Sequence, residues 1–517
     1  MNLFIENASI LDGTGKDFFK ANIGIKDDKI VYIGKEKFSA ERIVNANGLI
    51  LTPGFIDTHS HSEFTILAAP EAEGKITQGI TTEINGNCGV SCSPMIGEVV
   101  ERKLPELTSL ELTPWNTIQE YISQLERVRP AINFATLCGH GNIRGSIIGY
   151  KNIKVRKKDI KKMKELLYKE LLSGVKGLST GLIYPPGMFA DSEEIIELAR
   201  TLKKFKGIYA THMRSEGDKL FGALEETILI GRMAGISVHI SHLKTSGKGN
   251  WWKIDSVLKM IEDVKKEGLK ISADRYPYIA SATDLDAMLP SWIVEGTRDD
   301  IIKRLRSDTV RKKIKEYLKQ RGMDFLNSLL ISDVAYEKDK KIEGKRLGEL
   351  TDLESASQFI CDILIRSNLY VGVIYFGMKE ENLEKILSQP YVMIGTDSSA
   401  RCSSGITAKG KPHPRGFGSF PRFIKKYVLD RGLLSLQDSI RKITYLPAKT
   451  FRIEKRGLIK EGYCADIVIF NPAEIEDRAT FTEPFNVSKG IKYVIVNGEI
   501  AVEDGTLTGK RNGKVLL

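Results

Sequence analysis

Gly54-Phe55-Ile56-Asp57-Thr58-His59-Ser60-His61 is an apolar run that ends in a His-x-His pair and is entered through Pro53. Alternate side chains of an extended chain point the same way, so His59 and His61 project together from the end of this strand and can share one metal ion. Two histidines also fall close together by chance in a long chain, and the surroundings decide between the readings. The sequence has seven histidines. Four of them, His59, His61, His212 and His242, sit at or near the ends of short β-branched or apolar runs, where a parallel barrel carries its chemistry.

Working outward, the central body alternates strand runs with helical patterns. The strand candidates are Gly54–His59, Thr81–Cys88, Asn133–Gly139, Gly174–Thr180, Ile208–His212, Ser237–His242, Lys270–Asp274 and Tyr391–Asp397. Helical segments such as Asp159–Leu172, Ser192–Phe205 and Lys219–Ala234 lie between them. Eight such alternations, with polar residues gathered at the C-terminal ends of the strands, predict a (β/α)8 barrel over residues 53–450. The stretch from about 280 to 390 is too long for one crossover. Extra helices, for instance Asp299–Arg321, and an irregular segment covering the barrel mouth are expected there.

Both ends of the sequence read differently. Leu3-Phe4-Ile5, Ile23-Gly24-Ile25 and Ile30-Val31-Tyr32-Ile33 are short strands separated by turn residues. Near the other end, Ala465–Phe470 and Tyr493–Val496 are strand runs, the second followed by the hairpin signal Asn497-Gly498. Residues 1–52 and 451–517 are therefore expected to build one small β-sandwich flanking the barrel.

Composition narrows the class. At 57.8 kDa and 42% hydrophobic residues the chain can bury a large core. No stretch reaches the roughly 18 apolar residues of a membrane span. The opening MNLFIENASILDGTG lacks a basic n-region followed by an apolar run, so a cytoplasmic location is expected. Six cysteines without dense spacing argue against a disulfide scaffold. The net charge of +11 is spread over segments such as Lys157–Glu165 that interleave both signs, as solvated helix faces do. This argues against nucleic-acid binding and leaves anionic small substrates favoured.

The remaining polar residues at strand ends complete a pattern. The second strand runs into Ile84-Asn85-Gly86-Asn87-Cys88-Gly89, which places a thiol where the backbone turns. The fifth ends Thr211-His212-Met213-Arg214, the sixth Ser241-His242-Leu243-Lys244, and the eighth Gly395-Thr396-Asp397-Ser398. His239 has odd spacing from His242 and is expected to face the other way, in a structural role. Alone, Cys88 reads as a small buried residue and Asp397 as a support for a histidine. Together, imidazole, thiolate and carboxylate suit Zn2+ better than Mg2+ or Ca2+.

In sequence, GFIDTHSH, the GNCG turn, THMRSE, SHLK, GTDSS and HPRGFGSFPR resemble the N-acyl-D-amino-acid deacylase branch of the amidohydrolase superfamily, and the likeness continues into the terminal GYCADIVIFNP segment. The resemblance implies that Cys88, His212 and His242 hold one tight zinc, with His59 and His61 forming a second, weaker site that Cys88 and Asp397 also touch. Related hydantoinases and dihydroorotases bridge two metals with a carboxylated lysine at the end of strand four. Here that end reads Gly177–Tyr184, with only Lys176 before it, so Cys88 takes the bridging role.

The activity implied is zinc-dependent hydrolysis of N-acyl-D-amino acids to a carboxylate and a free D-amino acid. Hydrolysis of cyclic amides or of D-dipeptides is the alternative. Asp397 is the expected acid-base residue, and Arg415, Lys244, Tyr276 and, more weakly, Tyr184 are expected to bind the substrate's α-carboxylate. Two features depart from the family pattern: the inserted segment Arg401–Lys411, and Glu63 where an aspartate is common. The sequence leaves the oligomeric state and the preferred side chain open.

Overall fold

A computed structural model describes residues 1–517. Its centre is a closed parallel barrel whose strands, in order, are Phe55–Asp57, Ile80–Asn85, Asn133–Thr136 continued by Cys138–Gly139, Gly177–Gly181, Ile208–His212, Ser237–Ile240, Ile271–Arg275 and Val392–Ile394. Strands one to three pair in parallel, and the short continuation of strand three pairs with strand four. Strands four to eight follow in the same sense. Closure between strands eight and one is made by a parallel bridge between Ser60 and Ser398 and by Asp397 N donating to His59 O at 2.7 Å. All eight candidate strands of the sequence are present, at nearly the expected places.

The helices follow from amphipathic periodicity. Lys157–Leu172 buries Met163, Leu167 and Leu171 on the barrel and leaves its lysines to solvent. Ser192–Leu202 starts with Asp191 accepting from Glu194 N, a side-chain cap, and buries Ile195, Leu198 and Leu202. Leu220–Ala234 ends at Gly235 in the left-handed conformation. These faces and the outward side chains of the strands form one apolar core that encircles the barrel.

Two features differ from expectation. The segment after strand seven holds the expected extra helices, but a sheet stands where an irregular segment was expected. It is an antiparallel three-stranded sheet of Ser281–Asp284, Leu329–Val334 and Val371–Tyr375, packed with helices Arg298–Leu305, Asp308–Asn327 and Ala356–Arg366 around its own apolar core. The helix expected over Asp299–Arg321 is two helices, broken at Arg306-Ser307. The apolar runs Leu329-Leu330-Ile331 and Val371-Gly372-Val373-Ile374 need a buried face of their own, and pairing them supplies one.

Strands from both ends of the sequence meet in one nine-stranded sheet. Ile50–Pro53, which leads into barrel strand one, lies between Leu3–Ile10 and Ile467–Phe470. Ile23 and Ile467, three strands apart, share a core with Leu3, Ile5 and Ile495, as a sheet curled over itself requires. The Asn497-Gly498 hairpin forms as expected, with both residues at positive φ, between Ile491–Val496 and Glu499–Glu503. No helix is long and apolar enough to cross a membrane.

Candidate active site

The expected ligand residues converge at the C-terminal mouth of the barrel. His212 is the last residue of strand five, whereas Cys88, His242 and Asp397 lie two or three residues beyond their strands. Each of these three has positive φ: +52° for Cys88, +36° for His242 and +51° for Asp397. Non-glycine residues rarely take this conformation, and a fold that holds three of them so in one place is using backbone strain to aim side chains.

The donor atoms form three overlapping sets, the third being His59, His242 and Asp397. Cys88 Sγ lies 3.3 Å from His59 Nε2 and 3.4 Å from His242 Nε2. The donors of Cys88, His212 and His242 lie within 4.8 Å of one another, as do those of His59, His61 and Cys88. Asp397 Oδ1 is 3.2 Å from His61 Nε2 and 3.6 Å from His59 Nε2. Cys88 is thus shared by the first two sets. Both ring nitrogens of His212 are buried and make no hydrogen bond, and burial holds this imidazole in its neutral form. A buried imidazole with unmet nitrogens beside a thiolate fits a zinc ligand set.

Electrostatics agrees. Burial alone would raise the Cys88 thiol, but the adjacent His59 and His242 imidazoles hold it well below the ordinary thiol range. This favours the thiolate, the ligating form. Burial opposes the charge on Asp397 too, and Arg415 and His59 overcome it, holding that carboxyl well below the usual range.

Strand four contributes no side chain to the cluster. The Cys88-Gly89 turn packs against its end so closely that a Cβ on Gly181 would stand 2.2 Å from Cys88 O. The turn fills the space from which a strand-four lysine would project.

The substrate-binding candidates surround one aromatic ring. Tyr276 is buried with its hydroxyl unpartnered. The Arg415 guanidinium lies 4.6 Å from the Tyr276 ring centroid and Lys244 Nζ 5.9 Å. Burial would raise the phenol, yet Lys244, Arg275 and Arg415 bring it below its ordinary value. Arg415 Nη1 is 2.8 Å from Asp397 Oδ2. His413 accepts from Arg415 N through Nδ1 and donates from Nε2 to Ala280 O, each at 3.0 Å, which orients the guanidinium and ties it to the inserted subdomain. Tyr184 stacks edge-on to His212 at 5.0 Å, and its hydroxyl is 3.4 Å from Thr283 Oγ1.

Two residues with a part in the site, Asp274 and Glu216, were not singled out from the sequence. Asp274, at the end of strand seven, accepts from His59 Nδ1 at 3.1 Å, His239 Nε2 at 2.7 Å and His242 N at 2.8 Å. It fixes the tautomer that leaves His59 Nε2 facing the cluster. His239, expected to face the other way, instead reaches the same Asp274 oxygen as His59 and so holds that carboxylate in place. Glu216 accepts from the Lys244 ammonium and lies 2.8 Å from His242 Nδ1. Glu63 accepts from Gly86 N at 2.7 Å and so braces the Cys88 turn. The Arg401–Lys411 segment folds back onto the inserted subdomain, with Lys411 N donating to Ser332 O at 2.6 Å.

A barrel with four histidines at its strand ends, a shared thiolate and a rim aspartate defines a metal-dependent hydrolase, and zinc fits its donor set. The chain belongs to the amidohydrolase family, whose profile matches residues 42–327 and 392–502. It is 33% identical to D-aminoacylase of Alcaligenes xylosoxydans xylosoxydans over 516 residues, covering all of this chain and 97% of that protein. It is 34% identical to N-acyl-D-aspartate deacylase of the same organism, with coverage of 100% and 95%. Among solved structures, N-acyl-D-glutamate deacylase from Bordetella bronchiseptica, complexed with zinc and a phosphonate mimic of the tetrahedral intermediate, superposes with a TM-score of 0.83 at 30% identity, covering 100% of this chain and 99% of that one.

Proposed function

We propose that this protein hydrolyses the amide bond of N-acyl-D-amino acids in a zinc-dependent reaction, releasing a carboxylate and a free D-amino acid. The observation that carries this reading is the meeting, at one barrel mouth, of the thiolate–imidazole cluster with the Asp397 carboxylate and the donors of Arg415, Lys244 and Tyr276. We take residues 53–450 as the catalytic barrel and residues 1–52 with 451–517 as its flanking β-domain.

In this reading Cys88, His212 and His242 hold the tightly bound zinc, and His59 and His61, with Cys88 and Asp397 alongside, form the second site. When bound, zinc supplies Lewis acidity that polarises a carbonyl and lowers the pKa of water. The residues do the rest. Asp397 takes the proton of the attacking water and returns it to the departing nitrogen, a role worth roughly 10² to 10⁴-fold in rate. Its place between the histidine pair and Arg415 keeps it ionised for the first of these steps.

Arg415 grips the α-carboxylate through its planar fork, Lys244 adds a compact charge and the Tyr276 hydroxyl donates a hydrogen bond. The Tyr276 hydroxyl has no partner within the protein, and a substrate carboxylate meets that need. Tyr184 closes the pocket beside His212. With strand four blocked by the Cys88 turn, the carboxylated-lysine arrangement of the cyclic-amide hydrolases has no counterpart here.

The test is hydrolysis of matched N-acetyl-D- and N-acetyl-L-amino acids, with zinc measured on the same sample. Turnover confined to D-substrates, with one tight zinc per chain, is expected. Turnover of L-substrates alone, or none by zinc-loaded protein across a panel of neutral and acidic side chains, refutes the reading.

A further inference from the structure

Next to the ligand cluster lies a buried ammonium with no place in the chemistry above. Lys75, on the short helix Glu73–Ile76, is 0% exposed. Its Nζ is 2.6 Å from Asp57 Oδ2, 2.7 Å from Thr396 Oγ1, 2.8 Å from Ser60 Oγ and 2.8 Å from Ser398 O. A buried charge is costly unless fully paired and hydrogen-bonded, and this one is saturated. The identity of its partners is the informative part. Asp57 stands two residues before His59, Ser60 lies between His59 and His61, and Thr396 and Ser398 flank Asp397 on either side.

The network spans the seam where the barrel closes. Asp57 Oδ1 accepts from Thr396 N at 2.8 Å and from His59 N at 3.2 Å, and Asp57 Oδ2 accepts from the Thr396 hydroxyl at 2.6 Å. The hydroxyls of Ser60 and Ser62 both donate to Glu83 of strand two, at 2.7 and 2.8 Å. Strands one and eight meet here over very few residues, since regular structure ends at Asp57 and Ile394. His59, His61 and Asp397 are thus carried on irregular backbone, with Asp397 at positive φ. No hydrogen-bond partner of Lys75 adjoins Cys88, His212 or His242.

We propose that Lys75 is a positioning residue: its ammonium pins strand one to strand eight and so sets His59 and His61 against Asp397. Its part in turnover rests on the hydrolase reading, whereas its part in the geometry of the second metal site does not. A charge serving only global stability has no reason to distinguish the two halves of the ligand cluster, and this difference makes the idea testable.

The experiment compares wild type, Lys75→Met and Lys75→Arg by steady-state kinetics, by bound zinc per chain and by calorimetric titration of a second Zn2+ into the one-zinc protein. In Lys75→Met we expect kcat to fall about 30-fold with KM within about threefold, as misplaced catalytic groups do. Second-zinc affinity should weaken roughly 10 to 100-fold, the usual effect of losing an outer support, with the tight zinc retained. Lys75→Arg, which keeps the charge, recovers part of both losses.

A folded Lys75→Met with wild-type kcat and second-zinc affinity overturns the proposal, and so does loss of the tight zinc in step with activity. Should Lys75→Met fail to fold, Thr396→Val removes one partner on the strand-eight side. A fall of about tenfold in kcat and in second-zinc affinity is then expected, and no change in either is the refuting outcome. If the wild type turns over no acyl amino acid, the zinc titration alone decides.

Discussion

Replacing Glu170 by glutamine should stabilise the protein at alkaline pH and have little effect in acid. Glu170 is buried on helix Lys157–Leu172, its Oε1 accepts from Ser93 Oγ at 2.8 Å, and its Oε2 has no partner. Burial pushes its carboxyl up to about 7, and the Ser93 hydrogen bond offsets only part of this. Between the ordinary glutamate value of 4.5 and 7 the folded protein holds a proton that the unfolded chain has lost. Stability contributed by the neutral acid is therefore complete below about pH 4.5 and is lost as pH rises to about 7, a change of about 3 kcal/mol at 1.36 kcal/mol per pH unit.

Glutamine has the same shape and no charge to neutralise, so Glu170→Gln escapes the loss. Urea unfolding of both proteins at about pH 5 and pH 8 should show the variant's advantage growing by about 2.5 kcal/mol, most of the full linkage term. Melting points give the same answer less sharply, since about 1 °C corresponds to 1 kcal/mol in a chain of 517 residues. An advantage equal at both pH values would refute the reasoning, because it would mean that Glu170 carries the same charge in both states.

Asp397→Asn should lower kcat by roughly 10² to 10⁴-fold while the protein still copurifies with its tight zinc, which metal analysis and single-turnover kinetics will check. Arg415→Met removes the fork facing the carboxylate, and kcat/KM should fall by about 10 to 150-fold, corresponding to 1.5–3 kcal/mol, with N-acyl amines that lack the carboxylate affected far less. Cys88→Ala takes away the ligand that two of the donor sets share and should reduce bound zinc below one per chain, an outcome that elemental analysis reads without reference to activity.

Much of this site was readable because its ligands are local to strand ends. His59, His61, His212, His242, Cys88 and Asp397 each follow an apolar run, and a barrel brings those ends together whatever else it does. The supports were not readable. Asp274 joins His59, His239 and His242 across three strands, and Lys75 looks like any lysine in a short polar stretch until the barrel closes over it. Glu216 could be seen as part of THMRSE, but its bond to Lys244 depends on how two loops settle. In the inserted subdomain helices were expected and the sheet was not: pairing between Leu329–Val334 and Val371–Tyr375 is decided by what each strand can bury.

The shared sheet has a consequence for how the molecule is made. Ile50–Pro53, the strand that feeds directly into Phe55–Asp57, takes one of its two neighbours from Ile467–Phe470. A polypeptide emerging from the ribosome in order presents that edge unpaired while the whole barrel is being synthesised, and exposed strand edges invite association with other chains. The segment that anchors His59 and His61 is thus translated well ahead of the strand that fastens it, so the hydrolytic centre gains its final rigidity only when the closing strands arrive.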